Sequence, residues 1–237
     1  MTTACVLQHI SCEPPGEYED VLIGRGFEVM RVQLDEGDAL PRWEEPDLLV
    51  VMGGPMSVAD EVDHPWLADE KRLIEVAVRA GKPFFGVCLG AQLLAASLQA
   101  PVLQGPHPEV GVLPVELTSE AATDPVFSSL CSPLEVLQWH SDTFELPAGA
   151  VRLAASRAYE NQAFRVGDRA YGLQFHLEVT RAMFEEWAGV PAYIDALRAA
   201  LGEDGTEAFA DEFTLSRPAM AGTARVLFER FLDVVLS

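Results

Sequence analysis

The chain has 237 residues, of which 49% are hydrophobic and 22% are charged, and this composition excludes a disordered protein. Its formal net charge of −21 gives a surface that repels phosphate backbones, so we predict no nucleic-acid partner. Apolar runs stay well short of the roughly 20 residues of a membrane span, so we predict no membrane partner either.

The amino-terminal stretch and the cysteines predict a cytoplasmic protein. MTTACVLQHI has neither the basic segment nor the long apolar segment of a secretory signal. The four cysteines, at 5, 12, 88 and 131, form no C-x-x-C pair and no zinc-ligand spacing with the five histidines. We therefore expect reduced thiols, no metal and no cofactor.

The first hundred residues alternate between strand-like and helical patterns. Strands are predicted where apolar residues run almost without interruption, at 4–10, 27–34, 47–54 and 83–87. Helices are predicted between them, at 14–26, 64–81 and 90–100. This β-α-β-α order is typical of an α/β protein with a doubly wound, mostly parallel central sheet flanked by helices. Functional sites of such sheets lie at the carboxyl ends of the strands.

The order of predicted elements changes after residue 100. Short strands separated by turns are predicted at 110–117, 134–140, 151–156, 161–167 and 170–179. We expect this strand-rich second half to continue the same sheet, and residues 181–237 to be mostly helical. With no internal repeat and no obvious linker, we predict one domain over 1–237, with a core of about 1–180 and a helical extension of about 181–237.

The stretch GVCLGAQ, residues 86–92, raises the question of what Cys88 does. A strand ends just before it and a helix begins at Gly90, which is the geometry of a nucleophile elbow. Gly86 and Gly90 allow a strained turn, and a helix amino terminus favours a thiolate. The alternative is an inert buried cysteine, so the rest of the sequence has to supply a base.

The best candidate for that base is His176 in GLQFHLEVT. Glu178 follows two residues later, and residues two apart on a strand share a face, so its carboxylate can lie beside the imidazole. An isolated H-x-E pattern is weak evidence, but it gains weight beside an elbow. Gly-Gly-Pro at 53–55 ends another strand, and it is either a plain turn or the source of a backbone N–H for an oxyanion hole.

Four motifs together resemble the class I glutamine amidotransferase family. They are GGP at 53–55, GVCLGAQ at 86–92, WHSD at 139–142 and QFHLE at 174–178. The resemblance spans about 45–180 and is strongest to stand-alone proteins similar to the amidotransferase domain of GMP synthase. It implies a flavodoxin-like fold.

The resemblance also implies a reaction and a site. Cys88, His176 and Glu178 would form a triad that attacks the side-chain amide of glutamine, releases ammonia and leaves a γ-glutamyl thioester for water. Backbone N–H groups of Gly54 and Leu89 would form the oxyanion hole. Further substrate contacts are implied, by motif position, for Gln92, His140, Ser141 and Asp142.

Three functions remain open from the sequence. The first is a glutamine amidotransferase or glutaminase that acts alone or feeds ammonia to a separate synthase. The second is a γ-glutamyl peptidase or hydrolase, which breaks the same class of bond in another small-molecule substrate. The third is a catalytically silent amidotransferase-like binding subunit, and the complete set of motifs argues against it.

Other polar and aromatic residues are predicted to have structural roles. The remaining histidines have no partner pattern, namely His9, His64 and His107. An acidic cluster after the GGP loop is predicted to be solvated, namely Asp60, Glu61 and Asp63. A set of aromatic residues near the carboxy terminus is predicted to pack helices, namely Phe184, Trp187 and Tyr193.

Overall fold

A nine-stranded sheet forms the centre of the structure, a computed structural model that describes residues 2–237 except for the side chains of residues 192, 203 and 204. The strands are β1 (Thr3–Gln8), β2 (Glu28–Gln33), β3 (Leu48–Val51), β4 (Phe84–Val87), β5 (Val102–Leu117), β6 (Leu134–Phe144), β7 (Val151–Ala155), β8 (Ala163–Val166) and β9 (Ala170–Leu173). The α-helices are α1 (Glu17–Gly24), α2 (Trp66–Arg79), α3 (Leu89–Ser97), α4 (Arg181–Trp187) and α5 (Pro191–Leu236).

The strand order is β2-β1-β3-β4-β9-β8-β7-β5-β6. From β2 to β9 the neighbouring strands are parallel, and from β9 to β6 they are antiparallel. The predicted α/β fold class, with a strand-rich second half that continues the sheet, is therefore confirmed. One detail decides where the site forms: β9 comes from the second half of the chain but pairs with β4, so Leu173 lies opposite Val87.

Both faces of the inner parallel strands β1, β3, β4 and β9 are buried, which explains their nearly uninterrupted apolar sequences. In β1, Ala4 and Val6 belong to the core that also contains residues of α1 and α5. Cys5 and Leu7 belong to the core that contains residues of α2 and α3. Because neighbouring residues of a strand point to opposite faces, a sheet covered on both sides needs apolar residues at every position.

The chain from residue 181 onward is helical, as predicted, and packs on the sheet. Gly202 interrupts α5 with φ 70° and ψ 176°, which are not helical values. Beyond that break, Phe228 and Phe231 contact Phe85 of β4, with ring centroids 4.9 and 5.0 Å apart. None of the helices in the described part of the chain is both long enough and apolar enough to cross a membrane. The division into a core and a helical extension within one domain stays a prediction.

The last strand is shorter than the sequence pattern predicts, and this changes the explanation of the H-x-E motif. β9 ends at Leu173 and not at 179, so His176 and Glu178 lie beyond it. The chain then crosses to β6, where the backbone N–H and C=O of His176 bond with Leu137 at 2.8 and 3.0 Å. This crossing segment, and not the pleat of β9, aligns the two side chains.

β6 extends beyond the predicted strand 134–140 to Phe144, so the predicted substrate contacts Ser141 and Asp142 also belong to it. This part of β6 lies across from an irregularity in β5, where the pairing register shifts between Gln104 and Glu109. Such irregularities are common beside functional sites because they re-aim side chains.

Candidate active site

Cys88 occupies the tight turn between β4 and α3, as the elbow interpretation predicts. Its φ of 52° and ψ of −108° are rare for any residue other than glycine. The flanking glycines make the turn possible, because a Cβ on Gly90 would lie 2.1 Å from the Val51 carbonyl oxygen and one on Gly86 would lie 2.5 Å from that of Gly90. The Cys88 N–H donates to the Leu173 carbonyl at 2.7 Å, which fixes the turn against β9.

His176 and Glu178 form a buried pair behind Cys88. The His176 Nδ1 lies 2.7 Å from Glu178 Oε1, and the Leu177 N–H donates to Glu178 Oε2 at 3.0 Å. Burial lowers the pKa of His176, but the Glu178 charge and hydrogen bonds with Cys88 and Glu178 outweigh it and raise the pKa well above its ordinary value. The structure thus brings together all three residues that the motifs single out.

Trp187 of α4 has a second contact beyond the helix packing predicted for it. Its ring meets the His176 ring edge-on, with centroids 5.0 Å apart, and its Nε1–H donates to the Cys12 carbonyl at 2.9 Å. This bond fixes the indole, so the indole restricts the imidazole. The sequence gives no signal for the contact, because Trp187 belongs to a helix outside the motifs.

The glycine loop after β3 lies close to the elbow. A Cβ on Gly54 would lie 3.2 Å from the Leu89 side chain, so the two residues predicted to supply the oxyanion hole are neighbours. The Gly53 carbonyl oxygen lies 2.9 Å from His9 Nδ1. The loop therefore has a hydrogen-bond partner outside the motifs, namely His9, which directly follows β1.

His9 is one half of a second buried histidine–carboxylate pair. Its Nε2 lies 3.0 Å from Glu70 Oε1, and both side chains are completely buried. Burial lowers the pKa of His9, but the Glu70 charge and hydrogen bond raise it overall. Its ring stacks on Trp66 with centroids 5.4 Å apart. The sequence reveals no partner for His9 because Glu70 is 61 residues away on α2.

His140 forms a third pair, with Glu109 of β5. Its Nε2 lies 3.1 Å from Glu109 Oε2 and its Nδ1 lies 2.9 Å from the Asp142 carbonyl oxygen. Glu109 also accepts from Ser156 Oγ at 2.9 Å and Gln162 Nε2 at 2.7 Å. Burial raises the pKa of Glu109, but these hydrogen bonds and the nearby His140 lower it overall.

The predicted substrate contact Gln92 belongs to a short amide network. Its Nε2 donates to Gln174 Oε1 at 3.0 Å, and Gln174 Nε2 approaches Cys88 Sγ at 3.6 Å. On the other side of the site, Asp142 Oδ2 accepts from Ser57 Oγ at 3.1 Å. Gln174 and Ser57 were not predicted, although Gln174 stands in the QFHLE motif.

A cavity of about 270 Å³ opens above Cys88, and this volume suits one small metabolite. Six of the predicted residues line it, namely Gly54, Cys88, Gln92, His140, Ser141 and Asp142. Leu89, His176 and Glu178 are buried and are not among the lining residues. Its wall also contains residues that were not predicted for the site, namely Pro55, Met56, Ser57, Asp60, Trp139, Tyr193 and Ala196.

Tyr193 connects this cavity to a buried carboxylate. Its hydroxyl donates to Glu13 Oε1, and Glu13 is 3% exposed. Glu13 Oε2 has no hydrogen-bond partner within the described residues and lies against Gly53. Burial raises the pKa of Glu13, while the nearby His176 and the Tyr193 hydrogen bond oppose that rise. Tyr193 thus does more than pack helices, and Glu13 carries no sequence signal.

Comparison with known sequences points to one family. The family model described as glutamine amidotransferase class-I matches residues 19–186. The glutamine amidotransferase-like protein YfeJ of Salmonella typhimurium is 36% identical over 176 residues, which are 73% of this chain and 74% of YfeJ. A glutamine-hydrolysing GMP synthase of Aliivibrio fischeri is 31% identical over 160 residues, which are 67% of this chain but only 29% of that enzyme.

Solved structures agree with the sequence comparison. A glutamine amidotransferase from Thermotoga maritima is 33% identical, with a TM-score of 0.86 and 98% of both chains covered. A glutamine amidotransferase from Methylobacillus flagellatus is 28% identical, with a TM-score of 0.86, and covers 99% of this chain and 95% of that one. The family model itself spans well over half of the sequence and includes the elbow, the glycine loop and the H-x-E motif. The chain therefore belongs to the class I glutamine amidotransferase family.

Proposed function

We propose that the protein hydrolyses the side-chain amide of glutamine with Cys88 as the nucleophile. The observation that carries this proposal is the arrangement around the turn: a cysteine at positive φ faces a metabolite-sized cavity and has a buried His176–Glu178 pair behind it. A nucleophile, a base and a group that orients the base are what amide cleavage by a covalent route requires.

The reaction follows from the roles of these groups. His176 takes the proton of the Cys88 thiol, and the thiolate attacks the amide carbon to give a tetrahedral intermediate. Collapse of this intermediate breaks the C–N bond, and His176 passes its proton to the leaving ammonia. Water, deprotonated by His176, then attacks the γ-glutamyl thioester, and glutamate leaves as the thiol is restored.

Two features of the site favour a negative sulfur on Cys88 and a protonated His176. Cys88 stands at the amino terminus of α3, where unpaired N–H groups and the helix dipole stabilise a negative sulfur. The raised pKa of His176 favours the imidazolium, with Glu178 holding its Nδ1. Both features therefore favour transfer of the Cys88 proton to His176 as the sulfur attacks the amide carbon.

The intermediate's negative oxygen needs donors, and we assign them to the N–H groups of Gly54 and Leu89. Gly54 lies in the loop between β3 and α2, Leu89 begins α3 next to the nucleophile, and a Cβ on Gly54 would lie 3.2 Å from the Leu89 side chain. Preorganised donors of this kind lower the barrier by about 3–4 kcal/mol each. Gln92, His140, Ser141 and Asp142 complete the assignment as groups that hold the amino-acid end of the substrate in the cavity.

We also propose that the ammonia is released in the cytoplasm, either free or to a separate synthase. The glutamine-hydrolysing GMP synthase supports the second route, since this chain matches 29% of it and the rest of that enzyme lies outside the match. The same chemistry would open other γ-glutamyl amides, so the substrate has to be found by experiment.

The test is a measurement of glutamate and ammonia released from glutamine and from a panel of γ-glutamyl amides. We expect activity in the native protein and a loss of about 10⁴-fold or more in Cys88→Ala, because the covalent route is removed. Cys131→Ala is the matched control, since Cys131 is exposed and does not line the cavity over Cys88. Equal activity in the native protein and Cys88→Ala would exclude Cys88 as the nucleophile.

A labelling experiment complements the kinetics. A chloroketone analogue of glutamine should alkylate the native protein at one position, and peptide mass spectrometry should locate the label on Cys88. Excess glutamine should slow the labelling, because both molecules compete for the cavity. Labelling at Cys5, Cys12 or Cys131 instead would contradict the proposed site.

A further inference from the structure

We propose that the buried His9–Glu70 pair positions the oxyanion hole by holding the Gly53–Gly54 peptide in one orientation. This inference rests on the proposed function, since it assigns a purpose to the N–H of Gly54. Neither His9 nor Glu70 lines the cavity over Cys88, so both are positioning residues and neither is catalytic.

The first step of the argument is the geometry of one peptide group. The carbonyl oxygen of Gly53 and the N–H of Gly54 belong to the same planar trans peptide, so they point in opposite directions. His9 Nδ1 lies 2.9 Å from that carbonyl oxygen. A bond that fixes the carbonyl toward His9 therefore fixes the N–H on the opposite side.

The second step is that this loop has little rigidity of its own. Two successive glycines have more accessible backbone conformations than any other pair of residues. A side chain at either position would displace a neighbour, because a Cβ on Gly53 would lie 1.9 Å from Glu13 Oε2 and one on Gly54 would lie 2.7 Å from Met56 Sδ. The orientation of the peptide must therefore be imposed from outside the loop.

The third step concerns the protons. A carbonyl oxygen only accepts hydrogen bonds, so the His9 Nδ1 must carry a proton. The Nε2 then faces Glu70 Oε1 across 3.0 Å, and one further proton is shared between them. Glu70 thus selects the state of the ring that can donate to Gly53, and the stacked Trp66 restricts rotation of the ring. Complete burial of the pair keeps water from replacing these bonds.

The kinetic test replaces the pair by apolar residues and leaves the cavity untouched. In a His9→Phe/Glu70→Leu double variant, we expect kcat to fall about 10- to 100-fold with an unchanged KM, since only the transition state loses a donor. The double substitution avoids leaving one buried charge without its partner. The rate of Cys88 alkylation by iodoacetamide should not change, because that reaction does not use the oxyanion hole.

Two conservative variants separate positioning from general destabilisation. Asn at position 9 keeps a donor near the place of Nδ1, so His9→Asn should retain more activity than His9→Phe. Glu70→Gln can donate to Nε2 of a ring protonated at Nδ1, so its kcat should stay within about threefold of the native value. Similar losses in all of these variants, in proportion to their loss of thermal stability, would overturn the proposal.

A crystal structure of the double variant gives a readout that does not depend on turnover. We expect the Gly53 carbonyl to rotate away from residue 9 and the Gly54 N–H to leave its native direction. An unmoved peptide, or a native kcat in the double variant, would overturn the proposal. Failure of the proposed function is a different result, namely a native protein that cleaves no γ-glutamyl amide, and the orientation of the peptide in the crystal would still decide this inference.

Discussion

The His176–Glu178 and His9–Glu70 pairs are built alike, but we propose different roles for them. In both, a buried imidazole lies within 3.0 Å of a buried carboxylate, and both histidines have raised pKa values. In the first pair, Cys88 is among the groups that raise the pKa of the histidine, so the ring faces the proposed nucleophile. In the second pair the remaining nitrogen is bonded to the fixed carbonyl of Gly53. The partner of the second nitrogen thus decides whether a histidine can move a proton to a substrate.

The third pair follows the same rule. His140 is bonded to Glu109 through one nitrogen and to the Asp142 carbonyl through the other. With both nitrogens bonded to fixed groups, the ring cannot serve as a base without breaking a buried hydrogen bond. We therefore assign the proposed catalysis to His176–Glu178, while the other two histidines are bonded to backbone carbonyls, those of Gly53 and Asp142.

The proposed difference between the pairs would be wrong if His176 could be replaced without loss of activity. We expect His176→Gln to lower kcat for γ-glutamyl amides by about 10³- to 10⁴-fold, because the nucleophile loses its base. His107→Gln is the matched control, since His107 is exposed, and it should keep native activity. Steady-state kinetics on both variants decide the point, and a decrease below tenfold in His176→Gln would contradict the assignment of the base.

The same conservative substitution in the two carboxylates sharpens the contrast. We expect Glu178→Gln to lower kcat by about 10³-fold, since the imidazolium loses its counter-charge and its tautomer is no longer fixed. Glu70→Gln, by contrast, should leave kcat within about threefold of the native value. If the two variants lost activity equally, the distinction between a proton-transferring pair and a positioning pair would be wrong.

The sequence identifies the first pair and misses the other two for a physical reason. His176 and Glu178 are two residues apart, so local spacing alone brings them together. Glu70 and Glu109 are 61 and 31 residues from their histidines, and only the assembled sheet makes these contacts. Fold class and elbow were likewise predictable, because apolar runs and glycines carry local information. The end of β9 could not be predicted from the sequence, because it depends on the crossing of the chain to β6, which is a tertiary contact.

The Glu109–His140 pair should act on substrate binding more than on chemistry. We expect Glu109→Gln to raise KM for the substrate by about tenfold and to leave kcat nearly native, because β6 residues around Asp142 line the cavity. Kinetics with varied substrate concentration separate the two constants. A fall in kcat with an unchanged KM would instead assign His140 a part in the chemical steps.

This pair also predicts a dependence of stability on pH. The lowered pKa of Glu109 contributes stability that is present above the ordinary glutamate value of 4.5 and is lost as the pH falls through the folded-state pKa. Chemical denaturation of the native protein and Glu109→Gln should therefore differ most near neutral pH and converge in acid. A constant difference across that range would contradict the role of the ionised carboxylate.

Replacing Glu13 should have the smallest effect on stability, and the dependence of that effect on pH should be opposite to that of Glu109→Gln. Burial raises its pKa, so its favourable state is the protonated one, and the folded protein loses stability as the pH rises from 4.5 through the folded-state pKa. Glu13→Gln keeps an acceptor for the Tyr193 hydroxyl and removes the ionisable, unpartnered Oε2. The variant should therefore gain roughly 1–3 kcal/mol over the native protein at pH 8 and nothing in acid.

Urea denaturation at several pH values measures this difference, with the exposed Glu135→Gln as the control that should show none. A variant less stable than the native protein at every pH would mean that the Glu13 carboxylate is held by its neighbours and is not a cost to the fold. In that case the ionised Glu13 would join His9 and Glu70 in fixing the glycine loop, because its Oε2 lies against Gly53. The sign of this one difference therefore decides whether the loop is held by one carboxylate or by two.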